Sequence, residues 1–261
     1  MKTASSVRTV RLRPVGGSTA IIELAGLRLI TDPTVDAPTD PANGPPRRTT
    51  PPALDSAALG PLDVALVSHD QHPDNLDEGG RAFLPTAPLV LSTGQAATRL
   101  GGNVQALQPW QETRLSLPGG GALTVTAVPA RHGPPGCEPL VGEVIGFVLT
   151  ADGLPTVYVS GDNAALEHVR AVAERFTVDV ALLFAGAART PLLDGAFLTL
   201  TSAEAAQAAL LLGARHIVPL HFEGWAHFSQ GRDTLQEAFT DAGLLERLHL
   251  LRPGESVELE C

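Results

Sequence analysis

Between Ser68 and Asp77 the chain reads SHDQHPDNLD, which sets His69, Asp70, Gln71, His72, Asp74 and Asn75 inside seven residues. Imidazoles and carboxylates at this density can hold a divalent cation. A polar loop that happens to carry two histidines would look the same, so the segment alone leaves both readings open. Three other stretches add weight. His132 in VPARHG, Asp162 in YVSGDN and His221 in PLHFEGWAHF each follow an apolar run, as His69 does. Of the eight histidines, five (His69, His72, His132, His221 and His227) fall in predicted strand-end loops. The other three, His168, His216 and His249, fall inside predicted elements and read as ordinary core or surface residues.

The elements that must carry these groups follow from hydrophobic pattern and turn residues. Apolar or alternating runs predict strands at 7–12, 20–24, 27–30, 64–67, 89–92, 115–117, 122–128, 144–150, 156–159, 180–184, 217–220, 248–251 and 257–259. Helical spacing covers 79–84, 94–100, 164–176, 202–212 and 233–242, with Ser202 as expected N-cap and Glu204 in that helix's first turn. Strands then helices, twice over, suggest two similar halves packed sheet to sheet. Residues 36–61 are rich in proline and show no period, so they predict a long loop, which could serve as an interface. Arg47 and Arg48 within it are expected to face solvent, and Asp32 to cap the turn before Pro33.

Bulk properties exclude several classes. A net charge of −10 argues against a general nucleic-acid binder, which must neutralise phosphates. No apolar run approaches the roughly 18 residues that a membrane span needs, and no h-region follows Arg8, Arg11 and Arg13, so a cytoplasmic protein is expected. Cys137 and Cys261 have no partner at CxxC spacing, which argues against zinc–thiolate chemistry and a disulfide framework.

Taken together, TAIIELAGLRLITDP, LVSHDQHPDNLD, VPARHG, YVSGDN and PLHFEGWAHF resemble, in order, the motifs of metallo-β-lactamase-fold hydrolases. The likeness is greatest to the branch containing ascorbate-6-phosphate lactonase and the phospholipase D that acts on N-acyl phosphatidylethanolamine. It implies one αββα sandwich over residues 1–261, a mixed α/β (α+β) fold of four layers, with one or two divalent ions (zinc, manganese or iron) at one edge. By position, His69 and His132 would bind a first metal, Asp74 and His221 a second, and Asp162 would bridge them. The implied activity is attack by a metal-bound hydroxide on a small anionic ester, lactone or phosphodiester, with Asp74 orienting the hydroxide.

The family motif is His-any-His-any-Asp-His, and this chain departs from it. The stretch to the aspartate is one residue longer, Gln71 stands at the second histidine and Asn75 at the third. His72 could swing in as a replacement, or the amide oxygens of Gln71 and Asn75 could ligate and favour manganese or magnesium. One metal position could also be empty. The alternative to a hydrolase is a non-catalytic binding or regulatory relative with a degenerate centre. Arg131, Asn163 and Trp225 are candidates to contact substrate, and His227 to donate a proton. The expected partner is a small molecule, with neither nucleic acid nor membrane; a homo-oligomer is left open.

Overall fold

The computed structural model describes residues 8–38 and 47–261. The expected start of the first strand at Val7 and the centre of the proline-rich stretch lie outside the described residues.

Two sheets face each other. The first has the order β13-β1-β2-β3-β4-β5-β6: β1 (Thr9–Gly16), β2 (Thr19–Leu24) and β3 (Leu27–Thr31) form an antiparallel meander, then β4 (Val64–Leu66), β5 (Leu89–Ser92) and β6 (Val104–Ala106) continue in parallel. The second has the order β12-β11-β10-β9-β8-β7 and repeats that plan. Its antiparallel strands are β7 (Glu112–Ser116), β8 (Ala122–Pro129), β9 (Ile145–Thr150) and β10 (Val157–Val159), and its parallel ones are β11 (Val180–Phe184) and β12 (His216–Leu220). β13 (Val257–Glu260) returns to pair with β1, the N-terminal strand of the first sheet.

Alternation along the strands gives each sheet two apolar faces. The inner faces meet in a core that includes Leu12, Ile22, Leu66, Phe147, Leu182 and Phe184. Outside the second sheet, α5 (Leu166–Ala173), α6 (Ser202–Leu212) and α7 (Arg232–Asp241) bury Val169, Ala205, Leu235 and Phe239 against Tyr158, Ala181 and Leu183. Outside the first, α1 (Ser56–Leu59) and α2 (Glu78–Phe83) bury Leu59 and Phe83 against Ile30, Ala65 and Val90. The layers are therefore αββα.

Two local expectations change. The N-cap of α6 is Thr201, not Ser202: its hydroxyl accepts from Glu204 N, and Glu204 accepts from Thr201 N at 2.9 Å, a reciprocal capping box. Residues 248–251 form no strand. Leu248 makes a lone bridge to Ile217, while the carbonyls of Leu250 and Leu251 accept from the Arg232 guanidinium instead of a ladder.

Because β8 and β10 run in one direction and β10, β11 and β12 are parallel, β8, β10 and β12 all end at the same edge of the second sheet. The loop after β4 meets them there: Ile145 N donates to Ser68 O at 3.2 Å.

Candidate metal centre

Four strand ends deliver the candidate donors: His69 after β4, His132 after β8, Asp162 after β10 and His221 after β12. Donor atoms of His69, His72, His132 and Asp162 lie within 4.8 Å of one another, and so do those of Asp74, Asp162 and His221. Asp162 belongs to both groups and is fully buried.

The hydrogen bonds fix which nitrogens carry protons. His132 Nδ1 lies 2.8 Å from Leu198 O, which can only accept, so Nδ1 holds the proton and Nε2 a lone pair. The Ser68 hydroxyl donates to Asp32 Oδ2 at 2.8 Å, so it accepts from His69 Nδ1 at 3.1 Å, leaving His69 Nε2 bare as well. Both bare nitrogens point at His72 Nδ1, at 2.9 Å from His69 and 3.1 Å from His132. One proton at most can sit among three converging nitrogens. Burial, then the neighbouring imidazoles, pushes the His69 pKa well below its ordinary value; burial also lowers that of His132. Neutral imidazoles gathered lone pair to lone pair, beside the unpartnered buried oxygen Asp162 Oδ2, fit a divalent cation.

The second group is arranged around a charge as well. Asp74 Oδ2 meets His221 Nε2 at 3.0 Å and His227 Nε2 at 2.9 Å. Burial works to raise the Asp74 carboxyl, but these bonds hold it well below the usual carboxylate range. Burial disfavours charge on His221, but the carboxylates of Asp162 and Asp74 outweigh it and raise its pKa. His221 has φ of +56°, a left-handed conformation uncommon for a residue with a side chain. Its N–H donates to Gly17 O at 2.7 Å, and Phe228 packs 4.6 Å from both the His221 and His227 rings.

Other candidates are engaged elsewhere. Gln71 donates its amide to Gln95 Oε1 at 3.3 Å and lies against Gly142, with its Oε1 buried and unpartnered among the described residues. His72, one residue further along, is the side chain of that loop that brings a ring nitrogen, Nδ1, to His69 and His132. Asn75 faces Asp162 with its Nδ2, at 3.1 Å, and so acts as a donor to the carboxylate. Arg131 is paired with Glu167 at 2.5 Å and with Gly133 O. Asn163 binds the backbone of Arg131 and Ala165 and shapes the loop. Trp225 is buried beneath Arg48, whose guanidinium lies 5.5 Å from the ring centroid.

Arg48 and Asp32 depart most from expectation. Arg48 is 3% exposed and lies 3.6 Å from Asp77, because its segment pairs with the loop after β12: Thr49 N donates to Gly224 O and Ala226 N to Arg47 O. Asp32 lies beneath the centre, accepting from Ser68 N at 2.6 Å, Ser68 Oγ and Asn75 Nδ2, and burial pushes its carboxyl up to about 8. The sequence held one clue: Asp32 also stands where a strand ends. Since Asp32 holds Ser68, which holds the His69 tautomer, Asp32→Asn is expected to weaken metal binding about 10- to 100-fold with the fold intact, as read by competition with a chelating dye.

The family model described as "Beta-lactamase superfamily domain" matches residues 28–222, a span that contains every donor named above. The chain belongs to that superfamily. Within it, the chain is 30% identical over 207 residues to a UPF0173 metal-dependent hydrolase of Methanosphaerula palustris, covering 76% of this chain and 84% of the relative. It is 28% identical over 255 residues to another from Pyrobaculum calidifontis, covering 96% and 100%. This beta-lactamase superfamily member is thus a metal-dependent hydrolase of the UPF0173 family. A bacterial isothiocyanate hydrolase from the gut of Delia radicum shares the fold, with a TM-score of 0.82 over 96% of this chain and 100% of that one, at 20% identity. No helix among the described residues is long and apolar enough to cross a membrane.

Proposed function

We propose that the chain hydrolyses a small ester, lactone or phosphodiester at a centre formed by His69, His72, His132, Asp162, Asp74 and His221. The observation that supports this most is the convergence of three imidazole nitrogens, two with fixed lone pairs, beside a carboxylate shared with a second donor group. A bound zinc, manganese or iron ion supplies a Lewis acid and brings the pKa of a neighbouring water toward neutrality. Asp74, held ionised by His221 and His227, accepts a hydrogen bond from that water and orients it for attack. His227 is half-buried, donates Nε2–H to Asp74, and leaves Nδ1 without a partner among the described residues; that nitrogen takes the proton the water sheds and passes it to the leaving oxygen. His69 and His132 stay neutral and hold their orientation throughout.

A cavity of about 210 Å³ beside His132, lined in part by Thr93, Arg131, Glu138, Glu143 and Val144, suits a small substrate. With Arg131 neutralised by Glu167, support for an anionic substrate is weaker than the sequence suggested. Kinship with the ascorbate-6-phosphate lactonase branch is part of this proposal and puts lactones first. The test is hydrolysis of lactones, phosphodiesters and aryl esters, with isothiocyanates included on account of the structural neighbour. Turnover is expected with reconstituted protein and should vanish on chelation and in Asp74→Ala. No turnover of any class by protein with verified metal would contradict it.

A further inference from the structure

We propose that the two metal positions are unequal, one firm and nitrogen-rich, the other exchangeable and oxygen-rich, and that Asn75 sets the difference. The inference rests on the metal-centre reading above and deepens it. Four donors surround the first position, and three are imidazole nitrogens. The second has Asp74, His221 and a share of Asp162.

Asn75 stands beside this second set with its N–H side toward the carboxylates, and its Oδ1 is buried without a hydrogen-bond partner among the described residues. Its Nδ2 donates to Asp162 Oδ1 at 3.1 Å and to Asp32 Oδ2 at 3.4 Å. Turning the amide over would set its oxygen against the Asp162 carboxylate oxygen, so the N–H face is the one Asp162 meets. An N–H cannot ligate a cation, and here it also occupies the carboxylate oxygen that lies 3.3 Å from His221 Nδ1. His227 does not make up the shortfall: it touches Asp74 but is not among the donors gathered within 4.8 Å of one another. Fewer donors, most of them carboxylate oxygen, give a weaker site that favours harder ions such as manganese over zinc.

The test is titration of chelator-stripped protein with cobalt(II), followed by visible absorption and by the cobalt retained after gel filtration. The first equivalent should give the intense bands of a four-coordinate ion and survive filtration. The second should absorb weakly, bind about 100-fold less tightly and wash out. Asn75→His should make the second equivalent retained while leaving the first band unchanged; Asn75→Asp, smaller in volume, should tighten the second in the same direction. Two equivalents retained with equal affinity by the unaltered protein would overturn the inference and leave the metal-centre reading standing, as would an Asn75→His protein, folded by circular dichroism, that still retains one. No retained cobalt at all would overturn both.

Discussion

Asp162→Ala is expected to strip the protein of firmly bound metal and to lower hydrolysis by about 1,000-fold or more, the upper range for deleting one oriented charge-stabilising group. Among the described residues Asp162 is the one common to both donor groups, and it is fully buried. Asn75 Nδ2 would lose a carboxylate oxygen at 3.1 Å and His221 Nδ1 one at 3.3 Å, while His132 Nδ1, held by Leu198 O at 2.8 Å, would lose a second oxygen at 3.5 Å. The substitution would also remove a charge that helps to raise the Asp32 carboxyl, so that carboxyl should fall below about 8. Elemental mass spectrometry and activity on one preparation check the first two effects. A variant that keeps its metal would show that Asp162 is not the shared donor.

Gly186→Ala should destabilise the protein by about 3 kcal/mol, the upper range for overpacking, and loosen metal retention with it. A Cβ at Gly186 would lie 2.2 Å from His221 O and 3.0 Å from Phe222 Cα, backbone atoms that cannot swing aside as a long side chain can. Relief requires the His221 backbone to move, and His221 is pinned in its left-handed conformation by the bond to Gly17 O. The sign is informative, because glycine-to-alanine changes in compatible backbone usually stabilise by about 0.4–1 kcal/mol through the unfolded chain. Urea unfolding of the metal-free and metal-loaded protein measures both consequences. A change within about 0.5 kcal/mol, the range of a neutral surface substitution, would contradict the close packing of β11's loop on His221.

Legibility in the sequence followed physical cause. β5, α3 (Gly94–Leu100), β11 and α6 match their expected bounds, since each is an apolar or periodic run closed by a glycine, a polar turn or a cap. β6, α1 and α4 (Glu138–Val141) went unseen because three or four residues carry no period, and 248–251 looked like a strand because apolar content does not say where carbonyls find donors. At the centre, donor types at strand ends were readable one by one. Which nitrogen His72 would present was not, because that depends on where the other rings stand. Arg48 and Asp32 were misjudged for the same reason: local turn chemistry describes their neighbours in sequence, whereas their partners are Asp77, Trp225, Ser68 and Asn75. Arg131 was a substrate candidate because its ion-pair partner Glu167 stands 36 residues further along the chain, and Asn163 was one because bonds to the backbone of Arg131 and Ala165 leave no mark on residue type.

The most direct test of the account is metal content per chain, by elemental mass spectrometry, in protein purified without chelator, with His132→Ala prepared in parallel. The account predicts at least one equivalent of a transition metal in the unaltered protein, lost from a variant that remains folded. No retained metal after loading with zinc, manganese or iron, or an undiminished equivalent in His132→Ala, would contradict it.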